Sequence, residues 1–383
     1  MMAHLFLRPT DVLVFRDGRP FSAGDDHFAT GPFPPPPSVV YGAIRRALLE
    51  SVGADLRATD FGLTGTEAEV LGTTEKPGTL QLRGLSLART TPRAKTRLWP
   101  APLDLLREKS SVRSVPRITL SAPALLPAGS ETNLPEGLLP LAAPPLDGAP
   151  VFQTAGGFLS DPCYDDVLSG IPPADHEVIR PDMLFLREPR SHVSLRGETQ
   201  LAFSGTAEEG KLFAVDFVRL HEDVGLAVEV DGLQGLSIPG TLRLGGEARP
   251  ARIETFTPRP RPSVQLSGSR LRLVLTTPCP SQAGWRPEAL RNQEVEINGT
   301  TFAARLVGAA VGRHQTVGGW DAARGRPKPA RRAAPAGSVY FLDDVADPAG
   351  LIDALDGQSL CPHSTDRAQG FGLVRVGTWT PTD

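Results

Sequence analysis

The chain has 383 residues, enough for two or three domains that each bury a core, which excludes a single small module. Its 40 Lys and Arg stand against 43 Asp and Glu, so the formal charge of -3 excludes a global pull on a polyanion and confines any nucleic-acid site to a local patch. With 39 Gly and 38 Pro it stays below the roughly 25–30% that marks low-complexity sequence, and a folded protein rich in loops is expected.

Residues 5–8 read as a first strand, followed by a loop and the proline run 34–37. A helix is predicted next, with Ser38 as N-cap, Val40, Ala43, Ile44, Ala47 and Leu48 at helical spacing, and Gly53 as stop. Strand, loop and helix open a β-α-β unit. From about 92 to 190 the pattern dissolves into prolines and short apolar runs, which read as an insertion packed on the first domain. Alternating apolar residues return at 192–219 and 225–231 and complete the first sheet, and 258–262 reads as a linker. The expected domains are 1–257 and 264–383.

The second domain opens with a strand in which Leu271, Leu273 and Leu275 share one face. A short helix is predicted at 287–292, then strands at 302–311 and 339–342. Another helix has Asp347 as N-cap, Pro348 at its first position, Leu351, Ile352 and Leu355 on one face and Gly357 as stop; a strand at 373–379 ends the domain. The order β-α-β-β-α-β is that of a ferredoxin-like, RRM-like domain, which hosts RNA binders without implying one.

Residues 312–337 join the two middle strands and exceed the roughly 12–15 residues beyond which an unstructured connection is usually functional or disordered. Arg313, Arg324, Arg326, Lys328, Arg331 and Arg332 crowd into this stretch against Asp321 alone, and Trp320 follows Gly318-Gly319. Cations, an aromatic and pliable backbone suit phosphate contact with base stacking. A solvated basic loop, or an arm docking on an acidic partner protein, fits the same composition. Further on, Arg367, Gln369, Gly370, Phe371 and Gly372 stand at the entrance of the last strand, where missing Cβ atoms let a phosphate approach backbone amides. These residues match the RRM octapeptide only in part, and for a lone Gly-x-Gly a strained turn with Phe371 in the core is the better account.

The loop at 15–27 offers Arg16, Arg19, Phe21 and His27 but also Asp17, Asp25 and Asp26, so its charge is near neutral. Asp25-Asp26 read as structural, since a hard cation needs several converging oxygens. His192 is either a donor to phosphate or base or a satisfied structural histidine. Gly245-Gly246 with Arg249 and Arg252 is a second approach point or a plain turn. No Gly-x-Ser-x-Gly elbow, His-Glu-x-x-His or Walker loop occurs, so no catalytic residue, metal or cofactor is assigned. Cys163, Cys279 and Cys361 lie far apart without a Cys-x-x-Cys, and no apolar run approaches the roughly 20 residues of a membrane helix, so a soluble cytoplasmic protein is expected.

Several of these stretches together resemble the RAMP superfamily of CRISPR proteins, and within it the handle-binding subunit of type III-B Cmr complexes. The resemblance is carried by Phe15-Arg16-Asp17-Gly18-Arg19-Pro20-Phe21 with Gly24-Asp25-Asp26-His27, and by the prolines before Ser38, Gly42 and Arg45. His192 with Thr199 and Glu209-Gly210, Leu244-Gly245-Gly246-Glu247, Gly319-Trp320-Asp321 and Gly370-Phe371-Gly372-Leu373 follow in the family's order. Such a likeness implies an α+β protein of two ferredoxin-like domains that cradles the 5′ handle of the crRNA, beside the large polymerase-like subunit and the backbone subunits. It also implies RNA at Arg16 to Phe21 and at the turn after Gln369. The RNA-binding residues expected are Arg16, Arg19, Phe21, His192, Trp320, Arg324, Lys328, Arg331, Arg332, Arg367, Gln369, Gly370, Phe371 and Gly372. Binding without catalysis, and without membrane or small-molecule substrate, is expected; the alternative is a metal-independent RAMP-type endoribonuclease using His27 or His192 as general acid or base.

Overall fold

Alternation within the first strand decides how the N-terminal half is layered: Leu5 and Leu7 enter one core while Phe6, between them, enters another on the opposite face. The computed structural model describes residues 2–15, 28–92, 94–109, 115–125, 131–144, 151–193, 212–264, 268–291, 293–297, 299–321 and 325–381. In chain order, the first half holds β1 (Ala3–Pro9), α1 (Pro37–Ser51), α2 (Gly65–Leu71), β2 (Gln81–Thr90), β3 (Lys95–Pro100), β4 (Phe158–Ser160) and α3 (Asp161–Leu168). It continues with β5 (Phe185–Val193), β6 (Leu212–Leu220), β7 (Val224–Asp231), β8 (Thr241–Arg243) and β9 (Pro250–Thr255). Seven of these strands form one antiparallel sheet, in the order β4-β3-β2-β7-β1-β9-β8. Against one face lies α1, whose Val40, Ile44 and Leu48 meet Leu5, Leu7, Leu85, Leu226 and Val228. The helix starts at Pro37, one residue ahead of the expected cap, and no side chain caps it. Proline in the first turn accounts for that start, because its missing N–H would have had no partner there.

The second half holds β10 (Leu271–Leu275), β11 (Arg305–Ala310), β12 (Val339–Asp343), α4 (Pro348–Leu355), α5 (Ser364–Ala368) and β13 (Val374–Thr378). Its antiparallel sheet runs β11-β12-β10-β13. At α4 the expected N-cap forms, with Asp347 Oδ1 accepting from the Gly350 N–H at 2.9 Å. The helix expected at 287–292 does not form. Leu290 instead bridges to Val295 at the head of a small hairpin, Glu294–Ile297 with Thr300–Ala303, and burial of Ala289 and Leu290 fixes the turn. The whole is α+β: mostly antiparallel sheets with few helices.

Both faces of this second sheet are covered. Leu271, Leu273, Leu275, Tyr340, Leu342, Val374 and Val376 pack with Leu351 and Leu355 of α4. Val274, Val339 and Phe341 point the other way, into a cluster with Trp99, Leu105, Tyr164, Val167 and Leu168. The segment expected from sequence to pack on the first domain therefore also meets the second: Trp99, Leu105, Tyr164, Val167 and Leu168 sit between the two sheets. Charges follow the same seam. Arg272 of β10 pairs with Asp104 at 2.5 Å and also donates to the Val167 carbonyl, with both side chains almost fully buried. Arg375 of β13 reaches Asp165 at 3.3 Å and Asp356 at 3.0 Å, and Arg97 of β3 joins Asp161 to Glu229.

Candidate nucleic-acid interface

The sequence predicts an unstructured basic loop at 312–337; the described residues 312–321 and 325–337 instead pair in two β tiers. In the inner tier Gln315–Val317 pairs with Arg331–Ala334, setting Thr316 opposite Arg332 and Val317 opposite Arg331. In the outer tier Trp320–Asp321 pairs with Arg326–Pro327, and the Lys328 N–H donates to the Gly319 carbonyl at 2.8 Å between the tiers. The base is fixed to the body: Ala333 and Ala334 pair with Cys279–Pro280, Val317 is buried, and the Leu103 N–H donates to the Gly337 carbonyl at 2.8 Å.

What the hairpin carries outward is positive charge. Arg313, Arg326, Lys328 and Arg332 are exposed, and among the described residues none of them has an ion-pair partner. Elsewhere, arginines such as Arg187, Arg219, Arg97 and Arg375 are matched to carboxylates. Arg331 differs from its neighbours. It grips Asp366 through two hydrogen bonds of 2.7 and 2.8 Å and lies 5.9 Å from the Phe371 ring centre, and the buried carboxylate pushes its guanidinium pKa further up. Its first duty is to clamp the hairpin base onto α5.

The turn at 369–372 has no amide to offer a phosphate. Gln369 N–H donates to the Thr365 carbonyl, Gly370 to Arg367, Phe371 to Asp366 and Gly372 to Pro278, at 2.9 to 3.1 Å. Arg367 donates through Nη1 to the carbonyls of Cys361 and Pro362, and Phe371 is buried in the second core. Both glycines serve close packing, with φ of +82° and +65°. A Cβ on Gly370 would lie 2.9 Å from the Leu82 carbonyl oxygen, and one on Gly372 would lie 2.8 and 3.0 Å from the sulfurs of Cys361 and Cys279. The expected phosphate cradle is thus replaced by a joint between β2 and the second sheet. Similarly, Gly245-Gly246 is a turn packed on Val14, with Arg249 held by Asp11 and Glu247.

Arg16, Arg19, Phe21 and Arg324, with Asp25, Asp26 and His27, lie outside the described residues. His192 falls in β5, in register with Phe213, and Trp320 in the outer tier of the hairpin. The structure thus brings Trp320, Lys328, Arg331 and Arg332 together on one arm, adds Arg313 and Arg326 to them, and places Arg367 and the glycine turn beside its base, where the turn's amides are bonded within the protein.

No curated protein matches the chain. The family described as CRISPR-associated protein (Cas_Cmr3) matches it over residues 5–379. The chain belongs to that family. Cas_Cmr3 proteins are of the RAMP type, as the resemblance implied. Among solved structures, one chain in "Cryo-EM structure of the Type III-B Cmr-beta bound to cognate target RNA" is 14% identical with a TM-score of 0.46, over 91% of this chain and 88% of that one. In a second, with AMPPnP, the figures are 13%, 0.45, 88% and 86%. In "Crystal structure of Csm3-Csm4 subcomplex in the type III-A CRISPR-Cas interference complex" they are 10%, 0.38, 88% and 92%. For this Cas_Cmr3 member, Gly370→Ala and Gly372→Ala are each expected to cost about 2 kcal/mol or more of folding stability, read by denaturant unfolding, with little change in RNA affinity per folded molecule. A large affinity loss without destabilisation would return the turn to the RNA site. Among the described residues no helix is long and apolar enough to cross a membrane.

Proposed function

We propose that the chain is a non-catalytic RNA-binding subunit of a type III-B Cmr effector complex, holding the repeat-derived 5′ handle of the crRNA and docking on the large and backbone subunits. The observation that carries this reading is the hairpin at 312–337, where exposed cations with no ion-pair partner among the described residues gather on a β-arm anchored at its base. Cations on a firm arm hold phosphates in register, while single-stranded bases splay out to stack on an aromatic or enter pockets. Trp320 stands in the outer tier of that arm. Spatial strand orders β11-β12-β10-β13 and β2-β7-β1-β9 support the view that both lobes are ferredoxin-like. Among the described residues each has one of the two crossover helices of that fold, α1 in the first and α4 in the second. Since the second sheet is covered on both faces, RNA is held by the hairpin and loops and not on the open sheet that RRM domains use.

The test is to assemble the complex with and without this subunit and probe the guide's 5′ end with nuclease. With it, the handle is protected; without it, the handle is degraded. Equal protection in both would sink the proposal. Incubating the pure chain with repeat RNA separates the endoribonuclease alternative: retention without cleavage is expected, and specific cleavage abolished by His192→Ala would overturn the non-catalytic role.

A further inference from the structure

Two of the three cysteines meet. Cys279 Sγ and Cys361 Sγ lie 3.7 Å apart, both buried, although 82 positions separate them in sequence. Cys163 sits in a different cluster, between the sheets. We propose that Cys279 and Cys361 are a redox-closable pair, oxidised by a hydroperoxide to a disulfide that staples the base of the hairpin to the segment before α5.

Three features of the site support this. Cys279 belongs to the short strand that pairs with Ala333 and Ala334, so it is joined directly to the hairpin base. Cys361 lines a surface cleft of about 470 Å³ shared with Glu288, Arg291 and Arg367, which gives a small oxidant a way in. Gly372 leaves empty the space that its Cβ would take from both sulfurs, so the turn itself makes room for the pair. Cys279 is the reluctant partner, its thiol pushed well up by the hydrogen bond with Cys361 and by burial. Closing the bond needs the sulfurs to approach by about 1.7 Å, to the roughly 2.05 Å of a disulfide.

In the reaction, Cys361 as thiolate attacks one peroxide oxygen, the O–O bond breaks, and the leaving hydroxide is protonated to water. The sulfenic acid so formed is attacked by Cys279 sulfur, which loses its proton as the S–S bond forms and a second water leaves. Two thiols lose two electrons and one hydrogen peroxide is reduced to two waters. The bond closes a long loop, so it stabilises the fold chiefly by restricting the unfolded chain.

The experiment treats the reduced, purified chain with hydrogen peroxide, then blocks remaining thiols with N-ethylmaleimide in denaturant for mass spectrometry. Expected is a loss of two hydrogens, one maleimide adduct in place of the three possible, and a cross-linked peptide joining 279 to 361 that dithiothreitol opens. The midpoint of thermal unfolding should rise by about 5 °C. Cys163→Ala should keep the cross-link and Cys361→Ala should lose it. Three adducts with unchanged mass, oxygen added to single sulfurs without a cross-link, or a bond that includes Cys163 would overturn the proposal. Wild-type mapping decides the matter even if a variant fails to fold, and none of these outcomes bears on RNA binding.

Discussion

Replacing Arg313, Arg326, Lys328 and Arg332 together by Ala is expected to weaken crRNA binding about a hundredfold at physiological salt while leaving the fold intact. Each cation that meets a phosphate releases counterions from single-stranded RNA, so each one lost should flatten the slope of log K against log salt by about 0.7. The four residues are exposed and have no ion pair among the described residues, so removing them strands no buried carboxylate. Arg331→Ala is the internal contrast. Its partner Asp366 has a side chain only 6% exposed, so losing Arg331 leaves that carboxylate without its clamp and costs about 1–2 kcal/mol of stability, with a smaller effect on affinity. Filter binding at several salt concentrations, with unfolding curves on the same samples, separates the two cases. An unchanged slope in the fourfold variant would mean that the arm serves a protein partner.

Asp104→Ala is expected to destabilise the chain by about 3–5 kcal/mol, the largest loss from any single substitution considered. Asp104 is fully buried and holds Arg272 at 2.5 Å, so its removal leaves a guanidinium in an apolar seam with the Val167 carbonyl as its remaining partner. Burial pushes the Asp104 carboxyl up and the Arg272 charge pulls it back, as befits an ion pair that specifies the join more than it strengthens it. Asp104→Leu with Arg272→Met should therefore recover most of the loss, because no charge is then left alone. Urea unfolding of the two variants reads this directly, and a double variant no better than Asp104→Ala would show that the seam needs the pair itself.

Locally encoded structure was legible in the sequence. The helix α4 was marked by Asp347 and Pro348, α1 by its apolar spacing and β10 by alternation, and each forms where those signals put it. The hairpin was legible as a concentration of charge but not as a hairpin, because Pro327, Pro329 and Pro335 break the period-two pattern that marks strands. Its pairing to Cys279–Pro280 is a long-range fact that no local window contains. The same holds for residues 92–190. Asp104 meets Arg272 across 168 positions, and only the assembled core explains why a charge stands in each strand or turn. At the glycine turn the sequence admitted both a phosphate cradle and a packed turn, and the amide bonds and the Leu82 contact select the second.

Photo-crosslinking tests the central claim most directly. A crRNA with 4-thiouridine in its 5′ handle is assembled into the complex, irradiated and mapped by mass spectrometry. Adducts on this subunit within residues 312–337 are the expected result. Handle adducts confined to other subunits, or to parts of this chain remote from that arm, would contradict it.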